Sequence, residues 1–104
     1  MNGIVENRRR FERYNCDFLV DLHVDSPGEL SISTGVARNI SSGGMLIECP
    51  TVPPANAACH VAFSLPEWVP VYTHSGRDVM ARAHVRHRDI ARRTFGLSFA
   101  CPLS

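Results

Sequence analysis

The chain has 104 residues, of which 44% are hydrophobic and 20% are charged, as expected for one folded domain with a modest core. Its net charge of +1 argues against a protein that binds nucleic acid mainly through bulk charge. Because all 11 cationic residues are arginines, a single arginine is a weak functional signal, and only its spacing and neighbours give it weight.

The first predicted segment is an arginine-rich N-terminal arm at residues 1–14. Three consecutive arginines at 8–10 are followed by Arg13, and large apolar residues are few. Such a segment is expected to be flexible unless something holds it. We predict that this arm binds a ligand, that residues 15–101 form the folded body, and that residues 102–104 are a short tail.

From Phe18 onward, apolar and polar residues alternate with the period of half-buried β-strands. The segments with this pattern are 18–25, 30–36, 45–49, 59–65, 79–88 and 95–99, and residues 71–73 are a further short candidate. Turn-forming residues separate them, and no stretch predicts a helix longer than a turn or two. The pattern predicts an all-β fold, a six- to seven-stranded antiparallel barrel, because closure removes exposed sheet edges.

Two short motifs carry the candidate binding chemistry. The first is Arg9-x-x-x-Arg13 on the arm, and the second is Asn39-x-Ser41-x-x-Gly44 at a turn between two strands. Arginine offers a planar fork of donors to phosphate oxygens and also stacks on aromatic rings. An asparagine side chain both donates and accepts at a base edge, and a serine adds a hydroxyl. The arm and the turn together could clamp a nucleotide.

Two adjacent glycines, Gly43 and Gly44, end the second motif. Glycine permits either a close backbone approach or a positive φ angle. Both properties suit a turn that lies against a ligand.

These motifs resemble those of the PilZ domain family, which carries RxxxR on an N-terminal arm and [D/N]xSxxG at a strand-turn-strand junction. Residues 96–99, Gly-Leu-Ser-Phe, are similar to the family's closing G-[VL]-x-F pattern, and the resemblance spans about residues 6–100. It implies a PilZ-type barrel that acts as a non-catalytic receptor for the bacterial messenger cyclic di-GMP.

The resemblance also implies roles for individual residues. Arg9 and Arg13 would grip phosphates and stack on guanine. Asn39 and Ser41 would hydrogen-bond to a guanine and a phosphate, and Gly44 would shape the turn. The ligand is cyclic di-GMP, with no further cofactor.

Arg8 precedes the first motif directly, and in the family an arginine there can stack on a second ligand molecule. Two intercalated cyclic di-GMP molecules per chain are therefore expected. Binding would order the arm and change the surface offered to a downstream protein partner. Many PilZ domains end in a helix that covers one barrel opening, whereas only five residues follow Phe99 here. We expect the arm or a second copy of the chain, as in a homodimer, to cover that opening.

Three other functional classes are weighed against the receptor. A protein-interaction adaptor of the same fold, independent of the ligand, is the main alternative. A single-stranded nucleic-acid binder would need exposed aromatics among its cations, and the chain has only 2 tyrosines. Enzyme activity is not expected, because no nucleophile-base arrangement or phosphate-binding loop of known type occurs.

A metal site is also not expected. His84 and His87 are three residues apart, a spacing that puts them on opposite faces of a regular strand, and no CxxC-like pair supplies further ligands. The N-terminus has no secretory apolar run, and no stretch reaches the length of a membrane span. The chain is therefore predicted to be cytoplasmic, with its 4 cysteines free.

Overall fold

The computed structural model of the chain describes residues 11–26, 29–73 and 76–103. Six strands form a closed antiparallel barrel in the order β1-β2-β3-β6-β5-β4. Their bounds are β1 Tyr14–Ser26, β2 Glu29–Ile40, β3 Gly44–Glu48, β4 Ala58–Ser64, β5 Asp78–Asp89 and β6 Thr94–Phe99. The prediction of an all-β antiparallel barrel is confirmed, and the described ranges contain no helix.

The core follows the alternation of the sequence on β1, β4 and β6. On β1, Val20 and Leu22 are at most 1% exposed, and on β4 Val61 is equally buried. Phe95 is the largest of the fully buried side chains on β6. Period-two patterning therefore identified the inward residues of these three strands correctly.

The middle of strand β2 turns a large apolar residue outward instead, whereas Ile40, after a register shift near the end of the strand, is buried. Ile32 is 62% exposed, whereas Gly35 and Ala37 are buried. The register pairs Gly35 with Val20 and Ala37 with Phe18, and residues paired across an antiparallel ladder share a face. Small inward residues on β2 leave room for the large side chains of the strands opposite.

The predicted short strand at 71–73 is wrong, which leaves six strands in the described ranges. In this region the Arg77 guanidinium donates hydrogen bonds to the carbonyls of Val71 and Val69, at 3.1 and 2.9 Å. It also donates to the carbonyls of Leu65 and Pro66. Because one guanidinium holds these carbonyls, the segment runs as a fixed loop rather than as a strand of the sheet.

The long strand β5 contains a bulge that its sequence pattern does not predict. Val85 pairs with Leu97 and His87 pairs with Gly96, so Arg86 is an extra residue without a partner on β6. The residues after the bulge are shifted by one position relative to those before it.

This shift corrects two predictions about faces. His84 pairs with Ser98 and His87 with Gly96, two residues apart on β6, so the two histidines share the outer face. Their predicted placement on opposite faces is therefore wrong. No group of three or more metal-ligand side chains is found in the described residues.

The second correction concerns Arg88. Alternation along 79–88 predicts one solvated outer stripe that consists of Arg82, His84, Arg86 and Arg88. Arg88 pairs with the buried Phe95 and donates a hydrogen bond to the carbonyl of Pro53 at 3.3 Å. Its side chain therefore contacts the 49–57 loop and does not continue the stripe.

Across the described residues, no helix is long and apolar enough to cross a membrane.

Candidate functional site

The turn between β2 and β3 is built around the hydroxyl of Ser41. Its Oγ accepts hydrogen bonds from the amides of Gly43 at 3.1 Å and Gly44 at 3.2 Å, and its own amide donates to the Gly44 carbonyl at 2.8 Å. The Ser41 side chain is only 6% exposed. The central serine of the second motif therefore holds the shape of the turn from within.

The two glycines of the turn are required for close approach, not for a special backbone angle. Neither has a positive φ. A Cβ on Gly44 would overlap the backbone carbonyl of Leu97 on β6. A Cβ on Gly43 would lie 2.6 Å from the Phe11 ring. The turn thus contacts the neighbouring strand on one side and the N-terminal segment on the other.

The segment 11–13 brings Arg13, the last residue of the arginine motif, to this turn. Phe11 packs on Gly43, and Tyr14, the first residue of β1, donates a hydrogen bond from its hydroxyl to Glu12 at 2.8 Å. That hydrogen bond raises the pKa of Tyr14. Arg13 lies between these two contacts, with its side chain exposed. Its position is set by the contacts of its neighbours on both sides.

A cleft of about 560 Å³ lies between this segment and β5. Its floor is the outer face of β3 and β6, where Gly44 pairs with Ser98 and Leu46 with Gly96. One wall is the 41–43 turn with Phe11 and Arg13, and the other is Arg86 and His87 of β5. Strand β6 separates β3 from β5, so these two strands lie about 10 Å apart, two interstrand spacings.

The predicted site residues are only partly brought together. Arg13, Ser41 and Gly44 line the cleft, whereas Asn39 is not among the described residues that line it. Asn39 is half-buried near the end of β2, in register with Asn15 and Leu46. Arg8 and Arg9 lie outside the described residues.

Sequence reasoning missed the β5 wall. Arg86 was expected on a solvated stripe and His87 was considered only as a metal ligand. The bulge directs both toward the cleft. Its position could not be predicted from the sequence, because Arg86 to Asp89 are four consecutive polar residues without apolar alternation.

The cleft favours an anionic ligand. Two arginines and a histidine line it, and none of its described lining residues is acidic. Leu46 and Phe11 add apolar and aromatic surface beside the cations. Phosphates and flat aromatic bases are the groups that such a surface binds.

A closed six-stranded barrel with a basic cleft at a strand turn belongs to the class of small β-barrel binding domains. The chain is a member of the PilZ domain family, whose family model matches residues 7–104. PilZ domains are generally non-catalytic receptors for cyclic di-GMP.

Solved structures show the same fold at low sequence identity. The PilZ domain of CeSA from a cellulose-synthesizing bacterium superposes with a TM-score of 0.59 at 15% identity, over 86% of this chain and 80% of that one. The Bacillus subtilis inhibitor of motility MotI/DgrA gives 0.62 at 20% identity, over 91% of this chain and 44% of that one. The chain therefore spans less than half of that protein. No curated protein matches the chain.

Proposed function

We propose that this chain is a receptor that binds cyclic di-GMP in the cleft and catalyses no reaction. The observation that carries the proposal is that Arg13 of the first motif and Ser41 and Gly44 of the second line one cleft. Residues far apart in sequence, one from the first motif and two from the second, thus line the same cleft, which supports a shared binding role.

The ligand's chemistry suits this surface. Cyclic di-GMP carries two phosphodiester charges and two guanine rings. The Arg13 guanidinium offers paired donors to a phosphate and a flat face to a base. Gly43 and Gly44 present backbone without side chains at the turn, so a ligand can approach the main chain closely. Without a carboxylate among the described lining residues, nothing there opposes the ligand's charge.

The remaining motif residues have proposed roles of their own. Arg9 grips the ligand together with Arg13, and Asn39 hydrogen-bonds to the edge of a guanine. Arg8 stacks on a second cyclic di-GMP molecule, which gives two ligands per chain. An Arg8→Ala variant is then expected to reduce the number of bound ligands from two to one. A single ligand bound to the unmodified chain would overturn this stoichiometry.

Binding is proposed to act through the arm. In this proposal residues 1–14 are the ligand-binding arm, 15–101 the barrel and 102–104 the tail. The ligand orders the arm over the cleft and so shifts the population of surfaces offered to a downstream protein. Such a receptor acts in the cytoplasm, and a second copy of the chain is one candidate partner.

Isothermal titration with cyclic di-GMP tests the proposal. The unmodified chain is expected to bind, whereas Arg13→Ala and Arg9→Ala are expected to weaken binding at least about tenfold each. Arg82→Ala is the matched control, because it removes the same charge from an exposed arginine outside the cleft. Titration with cyclic di-AMP, which has the same phosphates and different bases, tests whether binding is specific for guanine. No binding by the unmodified chain would overturn the proposal.

The alternative of a ligand-independent adaptor has one structural observation in its favour. Leu19 is 68% exposed and Met80 is 88% exposed, and both line a shallow groove with Ala62 on the outer face of β1, β4 and β5. Exposed apolar side chains grouped in this way suit contact with a protein. An adaptor predicts no heat in the cyclic di-GMP titration, so the same experiment decides between the two functions.

A further inference from the structure

The β5 wall of the cleft is created by the bulge at Arg86. In a regular strand Arg86 would face a partner on β6, but the ladder passes directly from the Val85–Leu97 pair to the His87–Gly96 pair. A bulge bends its strand and re-aims the side chain of the extra residue. Arg86 is exposed and lines the cleft across from Arg13.

Arg86 is also uncommitted within the barrel. Arg38 pairs with Glu48 at 2.8 Å and Arg92 with Asp89 at 3.7 Å. In the part of the chain that the structure describes, Arg86 makes no hydrogen bond or ion pair of this kind. A guanidinium with free donors beside a basic cleft is available to bind an anion without first breaking a protein contact.

His87 supplies a ring on the same wall, and Gly96 gives it space. A Cβ on Gly96 would collide with the His87 imidazole, whose ring atoms are the nearest to it. The ring therefore lies directly over the glycine backbone, which is buried beneath it. This packing holds an aromatic plane at the cleft edge, opposite the Phe11 ring on Gly43.

The two walls therefore match in chemistry. Each one holds an arginine and an aromatic ring, and each ring lies on a glycine: Phe11 on Gly43 and His87 on Gly96. Below them, strands β3 and β5 lie about 10 Å apart on either side of β6, two interstrand spacings. A ligand with two phosphates and two bases can use a partner on both sides, and the described motif residues at the cleft, Arg13, Ser41 and Gly44, do not lie on the β5 wall.

We propose that Arg86 and His87 form a second ligand-binding wall, with Arg86 bound to a phosphate and the His87 ring stacked on a purine. The inference rests on the proposed function and extends it to residues outside both motifs. Together they would favour a cyclic dinucleotide, which reaches both walls, over a mononucleotide, which reaches only one.

Calorimetric titration of variants with cyclic di-GMP tests the second wall. Arg86→Ala is expected to weaken binding about tenfold, and His87→Ala about fivefold or more. Arg82→Ala is the matched control, since Arg82 lies on the same strand, is exposed and does not line the cleft. It removes the same charge and is expected to leave the affinity within about twofold.

Two further variants separate binding from folding. Gly96→Ala displaces the His87 ring without removing a side chain, so it is expected to weaken binding as His87→Ala does. His87→Phe keeps an aromatic plane and is expected to retain most of the affinity. The Arg86→Ala substitution should reduce the affinity for GMP less than the affinity for cyclic di-GMP, because GMP does not span the cleft. Urea unfolding of each variant shows whether its barrel is intact.

The outcomes distinguish the two proposals. If the unmodified chain does not bind cyclic di-GMP, the receptor function fails. If it binds, and Arg13→Ala weakens binding while folded Arg86→Ala and His87→Ala bind normally, the second wall alone is overturned. Equal losses in Arg86→Ala and Arg82→Ala would also overturn it, since they would show an effect of net charge only.

Discussion

The amide of Leu103 donates a hydrogen bond to the carbonyl of Ser42 at 2.8 Å. A second hydrogen bond joins the amide of Phe99 to the carbonyl of Gly43 at 2.9 Å. The turn that carries the second motif is thus held at two consecutive carbonyls by residues at and after the end of β6. The Leu103 side chain is also buried, at 8% exposed, and belongs to the core. The segment after β6 therefore supports both the barrel and the candidate site.

Leu103→Ala is expected to lower the free energy of unfolding by about 2 kcal/mol, because it removes a buried leucine side chain from the core. Urea denaturation followed by circular dichroism measures the change. Cys101→Ala is the control, since Cys101 is exposed, and its effect should remain within about 0.5 kcal/mol. Equal midpoints for Leu103→Ala and the unmodified chain would show that the tail does not stabilise the barrel.

Gly44→Ala is expected to destabilise the barrel by about 3 kcal/mol or prevent folding. Its Cβ would meet the Leu97 carbonyl, a backbone atom within the β3–β6 ladder that cannot move independently. Gly96→Ala is the matched control, because there the nearest atoms to the Cβ belong to a side-chain ring that can rotate away. Thermal unfolding compares the two. A Gly44→Ala variant as stable as Gly96→Ala would contradict the close-approach explanation.

Arg77→Ala is expected to lower the free energy of unfolding by about 2 kcal/mol or more. The guanidinium donates to carbonyls of the 65–71 loop, and its removal leaves partly buried acceptors without donors. Arg77→Lys keeps the charge but not the planar fork, so an intermediate loss is expected. Amide hydrogen exchange should speed up at Val69 and Val71 in the alanine variant. Unchanged exchange there would mean that the loop is held by other contacts.

Much of the barrel could be predicted because its strands alternate clearly. Val20, Leu22 and Val61 mark an inward face that any barrel of this pattern must bury. Strand β2 was recognised for the same reason. Its face could not be assigned from its own residues, because the choice of Gly35 and Ala37 as inward positions depends on the large side chains of β1 opposite them.

The candidate site was predicted only where a motif marks it. Ser41 and Gly44 stand in a recognisable turn, and Arg13 in a recognisable spacing. The other wall depends on a bulge, and a bulge is set by the pairing of β5 with β6 and not by the local sequence around Arg86. The burial of Leu103 could not be predicted either, because a single leucine after a proline belongs to no periodic pattern of apolar residues that would indicate burial.

Alkaline pH is expected to destabilise the barrel through two cysteines. Burial raises the pKa of the Cys16 and Cys59 thiols from 9.0 to about 11. In the unfolded chain both ionise near their ordinary value, so between pH 9 and 11 the unfolded state binds fewer protons than the folded state. Stability is therefore fully present below pH 9 and falls as the pH rises toward 11. Urea unfolding at several pH values from about 8 to about 11, which covers both thiol titrations, measures the slope.

Variants at the cysteines identify the source of this slope. Cys59→Ala is expected to lower stability at neutral pH, because Cys59 is buried, but also to flatten the decline above pH 9. Cys101→Ala, at an exposed cysteine, should leave the decline unchanged. The pKa of Tyr14 is raised by its hydrogen bond to Glu12, so Tyr14 contributes to the decline in the same direction as the thiols. The Tyr14→Phe variant measures how much of the decline Tyr14 causes. If the decline is equally steep in Cys16→Ala/Cys59→Ala and in the unmodified chain, the thiols are not its cause, because a group that is absent cannot release a proton on unfolding.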